Sequence, residues 1–133
     1  MNNTVRARLA FSFKAEAYEL DATIDLDRHV GEEPNFHLLL ARTGGIDPYS
    51  YLYEVMESHE VVFSEATGVA LQSCQDGGFD WSRFERDWRE EQDLRVVREI
   101  AERTLGVRDL DGRSDLKAAL LAAYRAGRAN SAA

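Results

Sequence analysis

Apolar and polar residues alternate along the first part of the chain and then change phase. The apolar residues occupy odd positions from Val5 to Phe13 and even positions from Tyr18 to Leu26. Strict alternation is typical of a strand with one buried face, and the phase change indicates a turn between two such strands. We therefore predict an antiparallel β-hairpin with strands at about residues 4–14 and 17–26.

The register of this hairpin depends on where its turn lies. With Ala15 and Glu16 at the centre of the turn, every apolar residue of both strands falls on one face. The turn has no Gly or Asn of the kind that two-residue hairpin loops prefer, so we expect a four-residue loop in the same register. The predicted opposed pairs are Phe13–Tyr18, Phe11–Leu20, Leu9–Ala22, Ala7–Ile24 and Val5–Leu26, with Arg6–Asp25, Arg8–Thr23 and Ser12–Glu19 on the outer face.

Apolar residues at helical spacing predict most of the remaining structure. Gly44 is expected to end the first helix, and the apolar stripe is interrupted near Gln92-Asp93, which predicts a break between two helices. The run Val61-Val62-Phe63 leaves open whether the stretch from residue 60 to 75 is a helix or begins as a strand. The predicted helices lie at about residues 35–43, 48–58, 63–75, 80–91, 93–105 and 114–126.

The helix predicted at residues 48–58 has the densest run of aromatic residues in the chain. Asp47 is suited to be its N-cap and Pro48 to be its first helical residue. Its polar residues fall on a single narrow stripe, so we expect the other elements to surround it. The residues that fill the rest of its circumference are Tyr49, Tyr51, Leu52, Tyr53, Val55 and Met56.

The combined pattern predicts an α+β fold. Two strands alone are marginally stable, so the two-stranded antiparallel β-hairpin at the N-terminus should pack against a mainly helical body of about five or six helices. The length, 133 residues, is that of one ordinary domain, and no linker divides the sequence. We therefore predict a single domain over residues 1–133.

Composition and charge narrow the functional classes. The net charge of −8 opposes nucleic-acid binding, because phosphate contacts require Lys and Arg. The stretch from residue 16 to 65 holds twelve acidic and only two basic residues. No apolar run is long enough to cross a membrane. We see no secretory signal, and the single cysteine, Cys74, cannot form an internal disulfide, so a cytoplasmic location is expected.

The sequence contains few arrangements of chemically reactive residues. Asp109, Asp111 and Gly112 superficially resemble a calcium loop, but alignment on the glycine puts Ala118 where the bidentate carboxylate belongs. A helix-turn-helix interpretation of residues 35–58 fails because the second helix offers glutamates where base contacts need Arg, Lys, Asn or Gln. Neither a metal site nor a cofactor is predicted.

The remaining site candidates lie on the predicted central helix. Glu54, Glu57 and His59 bring carboxylates near an imidazole, but no metal-ligand spacing such as His-Glu-x-x-His occurs. Tyr51 is an aromatic candidate for the same site. A structural His59 at the helix end is favoured over a catalytic one, since an imidazolium complements the C-terminal dipole.

Two functional hypotheses follow. The first is a non-catalytic adaptor or regulatory interaction protein whose acidic contact face, including Glu54, Glu57 and the acidic second strand, binds a basic protein partner. The alternative is a small-molecule-binding protein or modest enzyme with an aromatic pocket beside the central helix, at its junction with the helix of Trp81. Under either hypothesis, the free edge of the hairpin offers a route to a homodimer.

Overall fold

The computed structural model describes residues 3–131 of the chain and the side chains of residues 3–130. The chain separates into two compact units, Met1–Glu85 and Arg86–Ala133, which we call the first unit and the second unit. That residues 1–133 form a single domain stays a prediction.

The first unit begins with a β-hairpin and continues through short elements. Its strands are β1 (Thr4–Phe13), β2 (Glu16–Asp25), β3 (Val62–Ser64), β4 (Cys74–Gln75) and β5 (Gly78–Phe79). Its helices are α1 (Phe36–Gly44), α2 (Tyr51–Glu57) and two 3₁₀ helices, Leu26–His29 and Gly68–Ser73. A longer helix, α3 (Trp81–Leu105), starts in the first unit and continues in the second, where α4 (Ser114–Ser131) follows it.

The hairpin has the predicted buried face but not the predicted register. Leu9 pairs with Leu20, and Phe11 pairs with Tyr18 rather than with Leu20. The turn consists of the two residues Lys14 and Ala15, with φ of 51° and 67°, so the predicted four-residue loop is wrong. The true register differs from the predicted one by two residues, and side chains alternate with a period of two, so the same residues still face inward.

A third strand extends the sheet. β3 pairs with β1 through Arg6–Ser64, Ala7–Phe63 and Arg8–Val62, giving the strand order β2-β1-β3. The predicted two-stranded sheet is therefore wrong in strand number. The new pairing also occupies part of the β1 edge that the sequence offered for homodimer formation, although homodimerisation itself stays a prediction.

The helix predicted at residues 63–75 is also wrong, and the alternative that this stretch begins as a strand is confirmed by β3 at Val62–Ser64. Glu65 and Gly68 have φ of 48° and 64°, which no α-helix contains, and only the 3₁₀ helix Gly68–Ser73 follows. Hydrogen bonds to the start of β1 hold this segment, including Thr67 N to the Thr4 carbonyl oxygen at 2.8 Å. Main-chain pairing with distant residues therefore replaces the helical hydrogen bonds that the apolar spacing suggested.

The α2 helix is shorter and more exposed than predicted. Asp47 does not cap it: its Oδ1 accepts from the Tyr49 amide at 2.9 Å, and the Ser50 side chain accepts from the Tyr53 amide as the actual N-cap. Tyr53 and Met56 are buried, but Tyr49 and Tyr51 face solvent. The prediction of an encircled central helix is therefore wrong, because only one face of α2 is covered.

The buried face of the sheet forms the core of the first unit together with α1 and α2. Aromatic side chains that contact one another extend this core. The ring centroids of Phe36 and Phe63 are 4.8 Å apart, and those of Phe79 and Phe84 are 5.9 Å apart. The buried apolar side chains of these elements include Val5, Ala7, Leu9, Phe11, Leu20, Ile24, Leu40, Ala41, Tyr53 and Met56.

The second unit pairs the main length of α3 with α4. Its core contains Val97, Ala101 and Leu110, against which side chains of α4 such as Leu120 and Tyr124 pack. The predicted break at Gln92-Asp93 is absent, since α3 runs without interruption through this point. Asp93 is buried there, with its carboxylate bonded to Arg125 and Arg128 of α4. A paired carboxylate thus lies where the interrupted apolar stripe had predicted a break.

The broad class agrees with the prediction. The structure is mixed α+β, its N-terminal hairpin is antiparallel, and the rest of the chain is roughly helical. Among residues 3–131 no helix is both long and apolar enough to span a bilayer.

Candidate functional site

The outward side of α2 and the residues just before it form an open surface. Tyr49 is 97% exposed and Tyr51 is 68% exposed. Glu54 and Glu57 are also exposed and follow Tyr51 at spacings of three residues, which places the three side chains on neighbouring positions of one helix side. We call Tyr49, Tyr51, Glu54 and Glu57 the tyrosine–acid surface.

Contacts with the hairpin tip fix this surface. The Tyr51 ring lies 5.6 Å from the Phe13 ring, centroid to centroid, in a tilted arrangement. On the same strand, the Phe11 ring stacks on Tyr18 at 5.1 Å and lies 5.6 Å from the His59 ring. The helix that carries the predicted site residues is therefore held against the end of the β-hairpin that is nearest the turn.

His59 has a structural role at the end of α2. Its Nδ1 donates to the Val55 carbonyl oxygen at 3.0 Å, and the same oxygen accepts from the Ser58 Oγ at 2.6 Å. The Nε2 of His37 donates to the His59 carbonyl oxygen at 2.7 Å, so α1 is also tied to this corner. One ring nitrogen of His59 is thus committed to the main chain.

Tyr53 separates the exposed and buried sides of α2. Burial raises the pKa of its phenol above the ordinary value, and the negative charge of Glu57 acts in the same direction. The phenol therefore remains protonated at neutral pH, so Tyr53 is a core residue with a polar tip and not an activated base.

The structure places the predicted site residues on one element without enclosing them. Tyr51, Glu54 and Glu57 lie along the exposed side of α2, and His59 lies just beyond its end. In the described part of the chain, no group of three or more His, Cys, Asp or Glu side chains is placed to hold a metal ion. The assignment of Tyr51, Glu54, Glu57 and His59 as a binding site stays a prediction.

Three concavities in the first unit lie away from α2. One of about 570 Å³ lies between Glu33 and residues 72–83, one of about 390 Å³ lies around residues 28–42, and one of about 290 Å³ lies on the outer face of the sheet. No residue of α2 lines any of these three. The concavity of about 570 Å³ was not predicted from the sequence, because its walls come from short strands and a 3₁₀ helix that apolar spacing did not reveal.

Comparison with known proteins gives no family assignment. No protein-family model, curated protein or solved structure matches this chain.

Charges on the outer face of the sheet neutralise one another. Arg6 donates to both Asp21 and Glu65, where the sequence predicted a pair with Asp25. The hydrogen bond from Arg6 is the main reason that the pKa of Asp21 lies below its ordinary value. The negative charge of the acidic strand β2 is thus partly neutralised by Arg6, in contrast to the charge of the α2 carboxylates.

The single cysteine is not activated as a nucleophile. Cys74 is partly buried in β4, and burial raises the pKa of its thiol. A raised pKa lowers the fraction of thiolate at neutral pH, and the thiolate is the reactive form. Cys74 therefore lacks the lowered thiol pKa that is typical of a reactive cysteine.

Proposed function

We propose that this chain is a non-catalytic interaction protein whose tyrosine–acid surface binds a basic segment of a protein partner. The observation that carries the proposal is the exposure of two tyrosines that are two positions apart in the sequence, 97% for Tyr49 and 68% for Tyr51. Tyrosine is enriched at protein interfaces, because its ring supplies a large contact area with few rotatable bonds.

Charge complementarity specifies the kind of partner. Glu54 and Glu57 form no ion pair within the described residues, whereas Asp21 on the sheet is bonded to Arg6. Uncompensated carboxylates attract Lys and Arg side chains and speed their association at low salt. The same cations also interact favourably with exposed tyrosine rings. The proposed contact face therefore consists of the carboxylates of α2, and most of the acidic strand β2 is left out of it.

The geometry favours binding over catalysis. The candidate polar groups lie on an open surface, where water screens charges and a reacting group is not held in place. We therefore propose that the four residues act as a contact surface.

An oligo-arginine peptide is a suitable probe for this proposal. Isothermal titration calorimetry of the full chain should show saturable binding that weakens steeply as salt is raised. The double variant Glu54→Gln/Glu57→Gln should bind about three- to tenfold more weakly, and Tyr49→Ala about two- to fivefold more weakly. Tyr49 is nearly fully exposed, so its removal leaves the fold intact.

The matched control changes the same charge elsewhere. Glu90 and Glu102 are exposed on α3, and Glu90→Gln/Glu102→Gln alters the net charge by the same amount as the α2 double variant. Equal weakening by both double variants would show that the peptide senses only net charge. That result, or the absence of binding at low salt, would refute the proposal.

A further inference from the structure

A groove of about 570 Å³ lies between Glu33 and residues 72–83 in the first unit. Its walls come from the end of the second 3₁₀ helix, from β4 and β5, and from the first turn of α3. This volume falls within the range of sites that bind small molecules. The groove lies away from the tyrosine–acid surface, and what it binds is independent of the function proposed for that surface.

Ser73 marks the groove as more than an irregularity of the surface. The residue is only 4% exposed, and its Oγ has no hydrogen-bond partner among the residues that the structure describes. Its main chain is well held, since its carbonyl oxygen accepts from the Asp80 amide at 2.9 Å. Buried hydroxyl groups in native proteins nearly always have a partner. Ser73 lines the groove, so a rotation of its side chain about the Cα–Cβ bond brings Oγ to the groove surface, where a ligand can supply that partner.

The charged side chains around the groove form hydrogen bonds or lie near groups of opposite charge. Asp80 Oδ1 accepts from the Arg83 amide at 3.1 Å and caps α3, and Arg83 Nη2 donates to Gln72 Oε1 at 3.2 Å. The carboxylates of Glu33 and Asp80 are nearly balanced by the Arg83 guanidinium and the positive end of the helix dipole. The groove therefore favours neither a strong anion nor a strong cation.

The uncharged polar groups of the lining define the ligand. The side chains of Gln72, Gln75, Ser73 and Ser82 offer both donors and acceptors. A hydroxyl group is the neutral ligand group that donates and accepts at once. We propose that this groove binds a neutral polyhydroxylated small molecule, of the sugar or sugar-alcohol class, and that Ser73 turns its hydroxyl to bond with it.

Amide chemical-shift mapping of the full chain tests this proposal. The probes are a panel of neutral mono- and disaccharides and sugar alcohols, together with a sugar phosphate and an amino sugar as charged analogues. We expect at least one neutral probe to shift amides of residues 72–83 saturably. Ser73→Ala should weaken this binding about fivefold, which corresponds to the loss of one neutral hydrogen bond.

Two controls keep the result interpretable. Ser73→Ala removes an unpartnered hydroxyl, so thermal unfolding should show no loss of stability, and weaker binding cannot then be attributed to misfolding. Ser12→Ala makes the same change on the exposed face of β1 and should leave binding unchanged. The proposal is overturned if no neutral probe gives saturable shifts, if Ser73→Ala binds as well as the native chain, or if a charged analogue binds more tightly than every neutral probe.

Discussion

The Arg128 guanidinium donates to the buried carboxylate of Asp93 at 2.7 Å, between residues that are 35 positions apart in the sequence. Arg128 makes a second hydrogen bond to this carboxylate at 3.3 Å, and Arg125 adds a third at 3.0 Å. Asp93 is only 6% exposed, so its charge depends on these two partners. The bonds tie α4 to α3 within the second unit at the point where the sequence suggested that α3 should break.

Loss of this carboxylate should destabilise the second unit. We expect Asp93→Asn to lower the free energy of unfolding by about 2 kcal/mol, because hydrogen bonds to charged groups are strong but both arginines remain partly exposed. Chemical denaturation monitored by circular dichroism measures the change. Glu102→Gln, a charge loss at an exposed position of the same helix, should have little effect. A loss for Asp93→Asn no larger than that of Glu102→Gln would contradict the assigned role.

The same pair predicts the direction of the pH dependence. The hydrogen bond from Arg128 is the largest cause of the lowered pKa of Asp93 in the folded chain. A lowered folded pKa means that the stabilisation is complete above the unfolded value of about 3.9 and is lost as pH falls through the folded pKa. The stability difference between the native chain and Asp93→Asn should therefore be constant near neutral pH and shrink below about pH 4. A difference that persists unchanged in strong acid would contradict this.

The hairpin turn contains an alanine in a conformation that suits glycine. Ala15 has φ of 67°, and a side chain in this region is strained. We expect Ala15→Gly to raise the free energy of unfolding by about 0.5 kcal/mol, since relief of the strain exceeds the added entropy of the unfolded chain. Ala17→Gly makes the same change in the extended strand β2 and should lower stability. Thermal unfolding distinguishes the two, and a shift of equal sign in both variants would count against the observed turn.

Two adjacent glycines at the end of α1 are required for different reasons. A Cβ atom on Gly44 would lie 2.3 Å from Leu20 Cδ2, whereas one on Gly45 would meet nothing within 4 Å. Gly44→Ala should therefore lower the free energy of unfolding by about 1–2 kcal/mol through overpacking against the buried Leu20 side chain. Gly45 instead has φ of 71°, a conformation that asparagine tolerates, so Gly45→Asn should be nearly neutral. Comparable losses in both variants by denaturant titration would contradict this distinction.

Local patterns predicted the elements that depend on local interactions. α1 was predicted at about residues 35–43 and spans Phe36–Gly44, and α4 begins at Ser114 as predicted. The stop of α1 was misplaced by one residue, because Gly45 has the left-handed conformation while Gly44 remains helical. The residues that cap a helix or form its apolar stripe are only a few positions apart, so a local sequence pattern can predict such a helix.

The positions of the candidate site residues were predicted in part, whereas their role in binding stays a prediction. The sequence identified Tyr51, Glu54, Glu57 and His59 as neighbours, and the structure places them on or beside α2. The exposure of Tyr49 and Tyr51 was not foreseen, since aromatic residues at helical spacing usually indicate a buried face. Whether such a face is covered depends on how many neighbours reach it, and here only one side of α2 is reached.

The sequence by itself determined which face of the hairpin is buried, because side chains alternate with a period of two and a shift of two residues preserves every inward position. Only the tertiary structure decided the register, since neither Lys14 nor Ala15 signals a turn with positive φ. It also decided the pairing of β3 with β1 and the burial of Asp93 against Arg125 and Arg128. Those features depend on partners that are distant in the sequence, and no local pattern of apolar and polar residues can report them.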